Sequence, residues 1–164
     1  MSETPIQKLY KTVDSGDVAK ARAMLDENPD LLHEDVVGGN WLHLAAENND
    51  IPMADMLVSA GLDINSGKHF KPLTCAARKS AVDMARWLLE RGADPNWDRM
   101  MISAVNGGSF EILQLLIENG ADVNATFVNE TIPSNPKMNA LSQALGAGRD
   151  DMVKLLREAG AVEP

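Results

Sequence analysis

The chain holds one cysteine, Cys75, in 164 residues, so no internal disulfide can staple it. Cys75 lies in the apolar run LTCAA and reads as a small buried residue rather than a nucleophile. Aromatic residues are scarce at 4%, while Ala, Leu and Met are common, a balance that favours helices over sheet. No stretch reaches the roughly 18 apolar residues of a membrane span. The opening MSETPIQKLYKTVDSGD has no apolar run of signal-peptide length. A soluble, cytoplasmic protein is therefore expected, without a membrane as partner. Basic residues are also in short supply, 15 against 24 acidic, for a formal net charge of −9. Phosphate binding needs clustered Lys and Arg, so nucleic acid is not an expected partner. The same charge permits a basic protein partner, and it also keeps a chain soluble.

The residues of catalysis are missing in the same way. His33, His43 and His69 are the only histidines, and none has a Cys or second His at ligand spacing. NGG from Asn106 is too short for a phosphate loop and lacks a following Lys. There is no nucleophile elbow and no plausible triad. Asp14 with Asp17, and Glu34 with Asp35, are explained by helix capping and solvated turns. The expectation is a protein with no catalytic, cofactor or metal site.

What is present is a repeat. Five segments align: ENPDLL from Glu27, AGLDIN from Ala60, RGADPN from Arg91, NGADVN from Asn119 and AGAVEP from Ala159. An amphipathic run precedes each, and before that comes a shorter helical run. The shorter run ends at a small or polar stop: Gly16, Asn49, Ser80, Gly108 and Gly148. The stops are 33, 31, 28 and 40 residues apart. One such unit cannot bury its apolar face alone, so neighbours must stack into a continuous core. Ala45–Ala46 and Ala76–Ala77 allow close helix approach, and Trp87, Leu115 and Leu156 fill the space between units. Gly61, Gly92, Gly120 and Gly160 follow helix ends, where a positive φ is favoured.

A helix–turn–helix of about 33 residues closing on Gly-Ala-Asp-Val-Asn resembles the ankyrin repeat. DVVGGNWLHLAA from Asp35 is similar to that family's Asp-x-x-Gly-x-Thr-Pro-Leu-His-Leu-Ala-Ala, with Asn40 for the Thr and Trp41 for the Pro. KPLTCAA from Lys71 keeps Pro72 and Leu73 but has Thr74 for the His. RMMISAV and NALSQAL keep less of it. The resemblance covers Ile6 to about Val162 and implies an all-α ankyrin solenoid with short or irregular β-hairpin fingers. Its units would be 6–34, 35–67, 68–98, 99–126 and 137–164. It assigns His43 a structural hydrogen bond.

The departures from regularity carry the functional reading. Against a period of about 33, the fingers before Lys71 and Arg99 are short and the connection before Asn139 is long. ATFVNETIPSNPKMN, 125–139, reads as an irregular loop rather than a hairpin, either functional or a tolerated insertion. Charge is blocked along the chain. Ala23–Gly67 holds nine acidic residues and no Lys or Arg, and Lys68–Arg99 holds seven basic and four acidic. In a solenoid these blocks become bands, an acidic one including Asp50 abutting a basic one. They serve solubility or complement a basic partner.

The resemblance also implies a partner in the concave groove, touched by residues just after each first helix and by the fingers. Those post-helix positions include Glu47, Asn48, Arg78, Lys79 and Asn106. The finger positions include Val36, Val37, Phe70, Trp97 and Asp98, with Arg99 and, in the 125–139 loop, Phe127 as further contact residues. Trp97 is either an anchor or a lid on neighbouring helices, and Trp41 either reaches the groove or staples adjacent fingers. The function expected is a monomeric, non-catalytic protein-binding module, as an inhibitor or immunity-type protein. The alternative is a regulatory adaptor docking short peptide segments.

Overall fold

The computed structural model describes residues 3–36, 39–67, 71–97, 99–127 and 137–164. Ten α-helices follow one another in five pairs: α1 (Pro5–Asp14) with α2 (Val18–Glu27), α3 (Trp41–Glu47) with α4 (Ile51–Ser59), α5 (Pro72–Arg78) with α6 (Val82–Glu90), α7 (Met100–Gly107) with α8 (Phe110–Glu118), and α9 (Ala140–Gly146) with α10 (Asp150–Glu158). A 3-10 turn, Pro29–His33, extends the first pair. Among the described residues no strand forms; two isolated antiparallel bridges, Val36 with Gly39 and Phe127 with Met138, stand at finger bases. The molecule is an all-α solenoid.

Each pair turns on one left-handed residue. Gly16, Asn49, Ser80, Gly108 and Gly148 have φ of 75°, 55°, 57°, 78° and 65°. The two non-glycines offset that strain by reaching the next unit. Asn49 Oδ1 accepts the Met84 N–H at 3.3 Å, and Ser80 Oγ donates to the Gly107 carbonyl at 2.6 Å. The first helices α1, α3, α5, α7 and α9 pack in one row, and they approach more closely than the second helices do. The reason is size: Ala45, Ala46, Ala76, Ala77 and Ala104 are buried along that row. At Gly107 a Cβ would collide with the Ala77 carbonyl, so α7 rests on α5 backbone to side-chain-free backbone. Met100 and Met101, hard to place from sequence, are both core residues of α7. Trp87 is core as well, with the Arg91 guanidinium 4.1 Å over its ring.

A ladder of amides binds the later units. Asp63, Asp94 and Asp122 each accept through Oδ1 the N–H of the Asn two residues on, at 2.9 Å every time. This turn aims the Asn side chain at the next unit. Asn65, Asn96 and Asn124 donate through Nδ2 to the carbonyls of Gly92, Gly120 and Gly160, at 3.1, 3.3 and 3.1 Å. Their Oδ1 atoms accept from the N–H groups of Asp94, Asp122 and Val162, at 2.8, 2.7 and 2.9 Å. The motif Gly-Ala-Asp-x-Asn is thus a clamp, and its bonds persist while the fingers change length.

The seam between the first and second units is different. Leu32 occupies the position that Asn65, Asn96 and Asn124 hold elsewhere, and it is buried. It lies 4.0 Å from where a Cβ of Gly61 would be, a van der Waals contact in place of a hydrogen bond. Trp41 fills this seam, 0% exposed, with Nε1 donating to the Leu31 carbonyl at 2.6 Å.

Candidate protein-binding surface

The ends of the first helices carry polar contacts across three of the four seams. Asn48 Nδ2 donates to Asp14 Oδ1 at 3.1 Å, joining units one and two. Arg78 pairs with Glu47 at 3.4 Å, joining two and three. Gln143 Nε2 donates to Asn106 Oδ1 at 2.8 Å, joining four and five. Glu47, Asn48 and Arg78 are thus linked through neighbouring contacts, and Asn106 lies at the corresponding helix end two units from Glu47. Lys79, the C-cap of α5, is exposed beside them.

The fingers contribute unevenly. Val36 is half-buried at its bridge to Gly39. Trp97 is 37% exposed, and Lys71 Nζ sits 4.2 Å from its ring centroid, so one face of the indole already holds a cation. Arg99 stacks over Phe127 at 3.5 Å. Phe127 and Met138 exchange backbone hydrogen bonds of 2.7 and 2.9 Å. The stretch expected to be an irregular loop is thus paired like a hairpin at its base. Val37, Phe70, Asp98 and the loop's centre, 128–136, lie outside the described residues.

One expected contact residue, Trp41, is not a surface residue, and another, Asp50, is half-buried with structural work of its own. Trp41 is wholly enclosed, its indole N–H bonded to the Leu31 carbonyl beside buried Leu32, which stands where later units have the clamp Asn. Asp50 is the N-cap of α4, its Oδ1 accepting the Met53 N–H at 3.0 Å. The sequence Asp-Ile-Pro, with Pro52 in the first turn, already carried that signal. Tyr10, the chain's one tyrosine, was missed; it lies on α1 and is 37% exposed. Its residue type alone was a signal, since Tyr is enriched at interface hot spots.

His43 is buried and accepts the Asn40 N–H through Nδ1 at 3.4 Å, the structural bond implied for it. Burial pushes its pKa down, against the pull of Glu47. A Cβ at Gly39 would overlap its ring. Burial also pushes the Cys75 thiol up to about 12, so it stays protonated and unreactive at neutral pH. Among the described residues no three His, Cys, Asp or Glu gather as a metal-binding group, and no helix is long and apolar enough to cross a membrane.

The acidic block divides by employment. Glu47 pairs with Arg78, Asp55 with Arg91 at 3.3 Å, Asp50 caps a helix and Asp63 makes a turn. Asp26, Glu27, Asp30 and Glu34 are exposed, and their carboxylates take no ion pair or hydrogen bond among the described residues. Spare negative charge is thereby concentrated in the last turn of α2 and the 3-10 turn. Asp26 and Glu27 there oppose the helix dipole, whose C-terminal end is already negative. A wide cleft of about 750 Å³ opens in the same first unit, with Lys8, Lys11 and Lys20 among its walls, so the unit carries both signs.

A model for ankyrin repeats in three copies matches residues 9–99, more than half of the chain, and a model for a single ankyrin repeat matches 100–126. The chain belongs to the ankyrin repeat family. Ankyrin repeats are protein–protein interaction modules. Among its curated relatives, palmitoyltransferase AKR1 of Lachancea kluyveri is 31% identical across 70% of this chain and 15% of its own length. Ankyrin repeat and KH domain-containing protein mask-1 of Caenorhabditis elegans is 30% identical across 82% of this chain and 5% of its own. Ankyrin repeat and SOCS box protein 3 of Bos taurus is 31% identical across 72% of this chain and 30% of its own. The chain spans less than a third of each of these relatives.

Proposed function

We propose that this ankyrin repeat protein is a non-catalytic, monomeric binding module that holds one folded protein with a basic surface. The contact runs along the row of first-helix ends and finger bases, and the acidic first two units steer and orient the partner. In its most concrete form the protein is a cytoplasmic inhibitor or immunity-type protein that masks an enzyme or toxin, with no part for nucleic acid, membrane or cofactor. One observation carries this reading: nine carboxylates without a single Lys or Arg from Ala23 to Gly67, four of them exposed and uncommitted. Two of those four sit where the helix dipole disfavours them, and a cation from a partner relieves that repulsion. Opposed charge speeds encounter and fixes register more than it adds affinity. The inert thiol of Cys75 and the neutral, structurally bonded His43 support the non-catalytic half. An adaptor role draws on the relatives, whose names carry a SOCS box and a KH domain beside their ankyrin repeats.

The test is capture from the source cells on the tagged chain, washed at low and then high salt. One basic protein, held in equal amount and shed by salt, is the expected result. Many weakly held proteins sharing a short segment favour the adaptor, and a partner indifferent to salt removes the electrostatic part.

A further inference from the structure

Helices α1, α3 and α9 each open with a capping box, in which the third helical residue accepts the N–H of the capping residue. On α1 the acceptor is Gln7 Oε1, 2.9 Å from Thr4 N, and on α9 it is Ser142 Oγ, 3.0 Å from Asn139 N. On α3 it is His43 Nδ1, 3.4 Å from Asn40 N. An amide oxygen and a hydroxyl accept across the ordinary pH range, whereas an imidazole nitrogen accepts only while it carries no proton. His43 also supports the base of the second unit's finger. A Cβ on Gly39 would come within 2.3 Å of three ring atoms, so the glycine backbone lies against the imidazole. Gly39 and Val36 exchange backbone hydrogen bonds of 2.9 and 3.0 Å, which close that base. Asn40 ties it to the turn after α4, its Nδ2 donating to Ser66 Oγ at 2.6 Å. Burial holds the ring neutral, Glu47 one turn along α3 draws a proton towards it, and Arg78 on α5 opposes one. Among the described residues, α1 and α4, which also pack on α3, bring no further charge to the ring. The finger's own charge, Asp35, precedes the bridge.

We infer that His43 is an acid-operated latch: when its Nδ1 takes a proton, the finger base at Gly39 and Asn40 comes off α3 while the helix pairs stay stacked. A protonated Nδ1 sets one N–H against another at the Asn40 bond, so the box loses its acceptor. The imidazolium turns to Glu47 instead, whose carboxylate is then shared with Arg78. One proton thereby loosens both a finger base and the Glu47–Arg78 link between units two and three. Both belong to the surface proposed above for the partner, so acid would release it there. The latch rests on that reading only for its use, and it is tested on the chain alone.

The experiment is an NMR titration of the isotopically labelled full chain from about pH 7.5 to about 5, above the ordinary carboxylate range. The expected result is that the amides of Val36, Gly39 and Asn40 shift with the same midpoint as the His43 ring, and that Gly39 N–H loses its protection from exchange. The Asn139 amide, capped by a hydroxyl, and the amides of α8 should stay still over the same range. In His43→Gln the finger signals should no longer titrate. Glu47→Gln, which removes the charge that favours the imidazolium, should lower the midpoint, and it carries the test should His43→Gln not fold. A ring that titrates while Gly39 and Asn40 stay still overturns the latch. So do finger signals that move alike in His43→Gln, a midpoint that Glu47→Gln leaves in place, or a ring that stays neutral down to about pH 5. If Asn139 and α8 change together with the finger, acid unfolds the whole stack and the latch is equally wrong. No partner takes part, so each of these outcomes leaves the basic-partner reading to the capture experiment.

Discussion

The seam between the first and second units and the three seams after it solve one problem in two ways. The later seams use a polar clamp, the side chains of Asn65, Asn96 and Asn124, each bonding twice to the next unit. The first seam has Leu32 in that place and closes with Trp41. A clamp needs only a fixed turn on each side, so the chain between clamps is free to shorten to a 28-residue interval or lengthen to 40. An apolar seam depends on filled volume instead, and it tolerates less change. The difference also sorts function. Uncommitted carboxylates cluster next to the apolar seam, where the turns carry little polar work. Further along, the turn Asp and Asn residues are tied up in the ladder.

The largest break in this comparison comes from Trp41→Ala. It should cost about 3–5 kcal/mol, as large core truncations do, and should leave the Leu31 carbonyl only its longer bond from the Glu34 N–H; urea unfolding measures it. Asn96→Ala removes two hydrogen bonds at an exposed seam, each worth about 0.5–1.5 kcal/mol. Its cost should therefore be smaller, about 1–3 kcal/mol by the same arithmetic. Equal costs for the two variants would erase the distinction between filled and clamped seams.

A smaller effect sharpens the picture of the second unit. His43 has its pKa lowered by burial from the ordinary 6.5. As pH falls below about 6.5 the unfolded chain binds a proton that the folded chain resists. The stability contributed by neutral His43 is therefore complete above that pH and is lost progressively below it. The thermal midpoint should decline on acidification before the carboxylates titrate, and His43→Gln should remove that part of the slope. A midpoint flat from neutral pH down to about 5, above the ordinary carboxylate range, would mean that His43 is not held neutral.

The five helix pairs were legible because their stops are local chemistry. Gly16, Asn49, Ser80, Gly108 and Gly148 were each marked by residue type, and all five adopt positive φ. The row of Glu47, Asn48, Arg78 and Asn106 was legible through the family resemblance, which fixes where each first helix ends. Trp41 was not, because its environment depends on Leu32 being unlike Asn65, a fact that only the stacked seam turns into a cavity. Asp50 was read for its charge, and its position before a Pro-containing first turn also marked it as a cap.

Smallest in stability and largest in function should be reversal of the uncommitted charges. Glu27→Lys, Asp30→Lys and Glu34→Lys together touch no partner among the described residues, and each surface change should stay within about 0.5 kcal/mol. Capture of the partner on wild-type and triple-variant chains, side by side at low salt, tests the central claim most directly. The account predicts one basic protein in equal amount on the wild type and its loss from a variant that melts as the wild type does. The same protein held equally by both chains would contradict it.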